Sequence, residues 1–192
     1  PTVAGRPTDW TKFVRSYALV DIETGKAVGT KTRFKVRWDD EGAVIFEIKC
    51  DEPDMKNLFV TDDVWTGDSI AIQLETQGHA YYQIEVNPDG KIFDADRHGR
   101  LNQRWESNAN VETERGDDFW SVVVRIPVVD AEEGAADPNH HVVGAKPGMD
   151  SPWYMNVGRS RVRPSGKTSW SFPHTGKRSY HVPERFAKMV IE

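Results

Sequence analysis

The stretch Trp65-Thr66-Gly67-Asp68-Ser69-Ile70-Ala71-Ile72-Gln73-Leu74-Glu75, with the following run Tyr81–Asn87 and the turn Pro88-Asp89-Gly90, decides the fold class. Ile70, Ile72 and Leu74 alternate with Ala71, Gln73 and Glu75, and Tyr82, Ile84 and Val86 alternate with Tyr81, Gln83 and Glu85. A period of two is that of half-buried strands, so the two runs predict a β-hairpin with an apolar inner face and a polar outer one. Trp65 stands at the mouth of this hairpin. An exposed indole beside amide and carboxylate side chains suits a sugar, whose C–H face stacks on a ring and whose hydroxyls need both donors and acceptors.

The same period recurs on either side. Phe34, Val36 and Trp38 share one face of a run that ends in Asp39-Asp40-Glu41-Gly42, a turn, and Val44, Phe46 and Ile48 return as its partner. Trp120, Val122, Val124 and Ile126 alternate up to Pro127, which is expected to end the strand because proline lacks the ladder N–H. Residues 153–162 read as the last clear strand. Residues 94–115 carry few strand signals and read as a surface excursion; 130–152, rich in Gly, Pro and Asp, read as a loop with one short helical turn. The pattern predicts an all-β fold, an antiparallel β-sandwich of jelly-roll or immunoglobulin-like type, with residues 1–192 as a single domain.

With 38% hydrophobic and 29% charged residues the composition is that of a globular protein, and no apolar run approaches the ~18 residues of a membrane span. The 25 Lys+Arg are interspersed with 30 Asp+Glu for a net charge of -5, which argues against nucleic acid as a partner. Cys50 is the sole cysteine, so no intramolecular disulfide or cysteine zinc cluster forms; it ends an apolar strand and is expected to be buried. The chain begins at Pro1, which reads as a domain excised from a larger, processed secreted protein. Paired carboxylates such as Glu132-Glu133 and Asp117-Asp118 have the character of solvated loop acids, and no nucleophile elbow or phosphate loop is present, so the chain itself is not expected to be an enzyme and needs no catalytic cofactor.

Several further residues are candidates for contact with a ligand. Trp170 and Tyr180 fall in a C-terminal region rich in Ser, Pro, Gly and basic residues, where they either meet a ligand or pack as a lid. Arg159, Arg161 and Arg163 alternate and so project to one side of their strand; they either fork onto an acidic sugar or pair with Glu85, Glu75 or the acidic loops. Asp94-x-Asp96 is oxygen-rich and serves either as part of a calcium site or as solvated turn acids. Trp10 reads as a plug that anchors the N-terminal segment.

The order Asp9-Trp10, Arg37-Trp38-Asp39-Asp40, Asp51-Glu52-Pro53, Trp65-x-x-Asp68-Ser69-Ile70, Asn87-Pro88-Asp89-Gly90, Arg125-Ile126-Pro127, Asn156-Val157-x-Arg159, Trp170 and His181-x-Pro183-x-x-Phe186 resembles the family 9 carbohydrate-binding modules over nearly the whole chain. The resemblance implies a jelly-roll-like sandwich, attached to a secreted or cell-surface enzyme that acts on polysaccharides, with that catalytic domain and a carbohydrate as partners. It implies that Trp65 and Tyr180 are the two rings that hold a sugar and that polar side chains bond its hydroxyls, for which Gln73, Gln83, Glu85, Arg159 and Arg161 are the candidates here; relatives often bind a structural calcium as well. Ala71 departs from the family pattern, standing where xylanase-associated members carry Glu, and Glu85 lies near the position of an Arg. The function so implied is a non-catalytic module that tethers an enzyme to its glycan. The alternatives are a structural accessory domain without sugar binding, and a haem-binding relative using ligands such as Met55, Met149, Met155 or Met189.

Overall fold

The computed structural model describes residues 16–77 and 79–191, so Trp10 lies outside the described residues. Two sheets pack face to face. The first contains β1 (Tyr17–Ala18), β3 (Thr32–Trp38), β4 (Ala43–Asp51), β9 (Phe119–Val129) and β10 (Val142–Val143) in the order β1-β3-β4-β9-β10, with β8 (Asn110–Arg115) also paired to β9. The second contains β2 (Val20–Asp21), β12 (Gly166–Phe172), β11 (Trp153–Arg163), β5 (Ser69–Thr76), β6 (His79–Val86) and β7 (Ile92–Asp96), in the order β2-β12-β11-β5-β6-β7, with β13 (Ala187–Met189) also on β11. Among these the β9–β10 contact is parallel and the other pairings antiparallel.

The alternation fixes the register. Val36 pairs with Phe46 and Ile72 with Ile84, so each inward row meets another inward row. Phe34, Val36, Phe46, Ile48, Ile70, Ile72, Ile84, Val86, Val122, Val124 and Ile126 are all buried in one core cluster, with half-buried Trp38 edge-on against Trp153 at 6.0 Å. Each such side chain removed from water stabilises the fold by about 1.5–3 kcal/mol. Cys50 is buried among them, and burial pushes its thiol up to about 11. The β3–β4 turn closes because Asp39 Oδ1 accepts the Glu41 and Ala43 N–H groups at 3.0 and 2.8 Å while Gly42 takes φ +83°, a conformation free of strain only for glycine.

Three features differ from the sequence reading. Pro127 does not end its strand: Val128 N donates to Gly42 O on the β4 side, so the ring nitrogen of Pro127 faces the other way, into the gap between the end of β8 and the start of β10, where no ladder bond is missed. The supposed excursion 94–115 contains the end of β7 and all of β8, and its Trp105 is buried with its ring stacked 4.7 Å from Tyr82. Strand β11 is followed by β12 and β13; between these two, residues 173–186 cross the outer face of the second sheet as a strap before the chain rejoins β11. The loop 130–152 does carry one short helix, α1 (Ala131–Ala136), N-capped by the Asp130 carboxylate.

Candidate functional site

Three pieces of chain meet above the outer face of β6 and β11 and enclose a cleft of about 830 Å³. The first is the turn that carries Trp65. Thr61 and Thr66 hydroxyls both donate to Asp63 O, Phe59 N donates to the Asp68 carboxylate at 2.7 Å, and Asp68 N donates back to Phe59 O. A side chain at Gly67 would lie 2.6 Å from Phe59 O, so the close approach requires glycine. This brace holds the indole out, 42% exposed, with its ring edge-on to Phe93 at 4.5 Å and its carbonyl receiving Lys167 Nζ at 3.1 Å.

The second piece is the strap. Pro173 O accepts from Asn156 Nδ2 and Ser171 Oγ, each at 2.9 Å, and the N–H groups of Thr175 and Gly176 both donate to Ile22 O at 3.0 Å. The Tyr180 ring then lies on β11 over Gly158, so close that a Cβ there would fall 2.4 Å from Cε1, with the hydroxyl 3.3 Å from Ser160 Oγ. Burial pushes the Tyr180 phenol up to about 12. His181 Nδ1 meets Tyr81 Oη at 3.1 Å, and Phe186 packs edge-on against Tyr81.

The third piece is the segment after β7, which contributes Arg97, Leu101 and Gln103. Arg97 places Nε and Nη2 on Gln83 Oε1 at 2.9 and 2.6 Å, Gln83 Nε2 donates to Glu85 Oε2 at 3.2 Å, and Ser69 Oγ donates to Glu85 Oε1 at 2.7 Å. The result is an ordered polar base of alternating donors and acceptors. Burial raises the Glu85 carboxyl above its ordinary value, against the lowering effect of the Ser69 and Gln83 hydrogen bonds and of the Lys167 and Arg97 charges. Asp21, Glu23 and Glu85 are balanced by Arg97, Lys167 and Arg178, so the cleft is close to neutral overall.

The structure therefore brings together Trp65, Gln83, Glu85, Trp170 and Tyr180 of the residues expected from sequence, and adds Arg97 and Phe93. Sequence reasoning missed Arg97 because 94–115 had been read as an excursion; the signal was there, since Phe93 and Ala95 pair with Glu85 and Gln83 and Arg97 continues that outward face. Gln73 is fully buried on the outer face beside Gln83 and does not line the cleft. Trp170 lies in β12, 7% exposed, with its ring turned into the sandwich 4.9 Å from the Arg159 guanidinium.

Of the two alternatives for the arginine stripe, pairing with an acidic loop is the one seen, so Arg159 and Arg161 are not placed as ligand contacts. Arg159, Arg161 and Arg163 do share one side of β11, and it is the inner side. Glu52 Oε2 receives Arg159 Nη2 at 2.9 Å, Arg161 Nε at 2.8 Å and Arg163 Nη2 at 2.5 Å, while Arg163 Nη1 reaches Asp68 at 2.7 Å. Arg159 also donates to Thr32 Oγ1 and Asp51 O. These guanidiniums are consumed in joining the two sheets and do not face the cleft with a free fork.

Asp94 Oδ2 accepts the Ser107 N–H and hydroxyl at 2.6 and 2.7 Å, and Asp96 Oδ1 meets His79 Nε2 and His98 N at 2.7 Å each. Both carboxylates fasten chain segments, and no group of three or more His, Cys, Asp or Glu side chains converges on a metal position among the described residues. Met155 and Met189 are buried in the core, Met55 packs against it, and Met149 is 70% exposed.

No protein-family model matches the chain, and no curated protein matches it. Solved structures do. A protein of Bacteroides uniformis proposed to bind carbohydrate superposes with a TM-score of 0.68 at 16% identity, over 93% of this chain and 86% of that one. The chain has the fold of a family 9 carbohydrate-binding module. One such module from Caldicellulosiruptor kristjanssonii, in complex with glucose, superposes with a TM-score of 0.65 at 12% identity over 100% of this chain and 95% of its own. The cellotriose complex of a module from the same organism gives 0.64 at 12% identity over 100% and 92%. The likeness is one of architecture: a two-sheet antiparallel sandwich.

Proposed function

We propose that this chain is a non-catalytic carbohydrate-binding module that takes a neutral sugar into the cleft bordered by Trp65 and Tyr180. The observation that carries the reading is the pairing of a braced, 42% exposed indole with a base of prearranged donors and acceptors, Arg97–Gln83–Glu85–Ser69. A sugar offers one apolar face to the ring and a rim of hydroxyls to that base. The near balance of charge in the cleft, with the β11 arginines engaged elsewhere, favours a neutral ligand over a uronic or sulfated one. Hydrolysis of a glycoside would need two carboxyl groups facing each other across the bond. Here Glu23 pairs with Arg178 and Asp21 holds the Thr24 turn, which leaves Glu85 without an opposing partner in the base.

Adhesion is then the mechanism: the module holds an attached glycan-active enzyme outside the cell on its polysaccharide, raising the local concentration of substrate. Among the described residues no helix is long and apolar enough to cross a membrane. The test is calorimetric titration of the wild type and of Trp65→Ala with glucose, cellotriose and a matched panel of neutral and uronic oligosaccharides at low and high salt. The wild type is expected to bind a neutral sugar with little salt dependence, and Trp65→Ala to lose that binding while melting within a few degrees of the wild type. Absence of binding across the panel, or a preference for the acidic sugars that fades with salt, would refute the reading.

A further inference from the structure

The outer face of β11 carries a second exposed ring. Tyr154 is 39% exposed and lies on the same face as Ser160, six residues away, which at about 3.3 Å per residue sets it about 20 Å from that end of the cleft, while Gln83 in the cleft's base stands about 12 Å from it, two strands across and two residues along. Its register partners are Glu75 on β5 and Lys188 on β13, so a carboxylate, a phenol ring and an ammonium form one row across three adjacent strands spaced by about 4.8 Å. All three are unengaged: none of these side chains has a hydrogen bond or ion pair with another described residue. This sets the row apart from the other charged rows of the sandwich, where Arg37 pairs with Glu47 and Arg125 with Asp39 and Glu41. Glu75 is moreover half-buried, and burial alone raises its carboxyl above the ordinary value, with no cation to offset the cost.

An unengaged acceptor and an unengaged donor, one on each side of an exposed ring, repeat in miniature the chemistry of the cleft. We propose that the Glu75–Tyr154–Lys188 row is a second, shallow glycan-binding surface, which acts together with the cleft on one extended neutral polysaccharide. Both surfaces belong to one face of one sheet, so both present themselves to the same side, and the strap that crosses between them keeps them apart. A mono- or disaccharide reaches only one of the two; a long chain or a packed polysaccharide surface reaches both. Binding at the cleft then makes contact at Tyr154 intramolecular, and linked contacts of this kind strengthen attachment even when the second one alone is weak.

The proposal rests on the cleft being a sugar site, and the experiment separates the two. Wild type, Trp65→Ala, Tyr154→Ala and the ring-preserving double variant Glu75→Gln/Lys188→Ala are compared in solution with glucose and cellotriose and on an insoluble polysaccharide, cellulose or whichever of a panel retains the wild type. Tyr154→Ala is expected to bind the short sugars like the wild type and to be retained on the polysaccharide about tenfold less well, the lower part of the range for linked sites. The double variant should show a smaller loss of the same kind. Retention of Tyr154→Ala equal to wild type overturns the second surface and leaves the cleft standing. An equal loss on short sugars also overturns it, since Tyr154 would then act through the cleft. A wild type retained by no glycan removes both readings.

Discussion

Replacing Glu52 by Gln removes one charge and almost no volume from the inner clamp. Glu52 is fully buried, and its two oxygens receive donors from Arg159, Arg161, Arg163 and the Asp54 N–H. Burial by itself would raise its carboxyl, and the Arg161 and Arg163 hydrogen bonds outweigh it, bringing the group down from 4.5 to about 2. At 1.36 kcal/mol per tenfold step in proton affinity, that gap corresponds to roughly 3 kcal/mol of folded-state stability at neutral pH. An independent route gives the same size: removing one member of a buried ion pair typically costs about 3–5 kcal/mol, because the partner charge is left buried without compensation. Three guanidiniums would be left with Asp68 and the more distant Asp54 as their anions.

For a chain of this length about 3 kcal/mol lowers the melting temperature by roughly 6–12 °C. The pH dependence has a definite sign. A carboxyl whose folded value is depressed contributes its stability above the unfolded value, near 4.5, and loses it as pH falls toward about 2. Wild-type melting temperature should therefore fall through that window more steeply than that of Glu52→Gln, and the two curves should converge in acid. Scanning calorimetry at neutral pH and at several points in the window reads both effects. A variant that melts with the wild type at neutral pH, or whose acid slope is unchanged, would refute the view that the β11 arginines form a structural clamp and would return them to the list of ligand contacts.

Gly158→Ala would place a methyl group 2.4 Å from the Tyr180 ring, so it is expected to lift the strap, lower sugar affinity and lower the melting temperature; in a Tyr180→Ala background the same methyl has room, and a double-mutant cycle should show its effect vanish. Glu85→Gln should have opposite effects on two readouts. Because burial raises the folded Glu85 carboxyl above its unfolded value, its charge costs stability at neutral pH, so the amide should melt higher, while titration should show weaker sugar binding through loss of the strongest acceptor in the base.

The sandwich was legible because its central strands obey the period of two without interruption: Ile70–Ile72–Leu74 and Tyr82–Ile84–Val86 name their own inner face. Strands β8 and β12 escaped because each satisfies a weaker constraint. Most of β8 is exposed at the rim of its sheet, so its residues need not alternate, and β12 fills much of its length with Gly, Lys, Thr and Ser, which read as loop. In the cleft, Trp65, Gln83 and Glu85 could be found from one hairpin. Arg97 could not, because the segment that carries it reads as an excursion, and the seating of Tyr180 depends on a glycine in β11, a separate element from the strap.

The arginines show where alternation alone stops. Period two says that Arg159, Arg161 and Arg163 share a face with Trp153, Met155 and Val157, all of which are buried. Followed strictly, it points the arginines inward, which selects pairing with an acidic loop over a fork onto a ligand. The inward placement is tolerable only because Glu52 and Asp68, from loops far in the chain from β11, converge on the same end of the sandwich. It also frees the other face of the strand. With charge directed inward to hold the sheets, the outward positions Gly158 and Ser160 can be small, and their small size is what lets Tyr180 lie against the sheet and border a cleft instead of filling it.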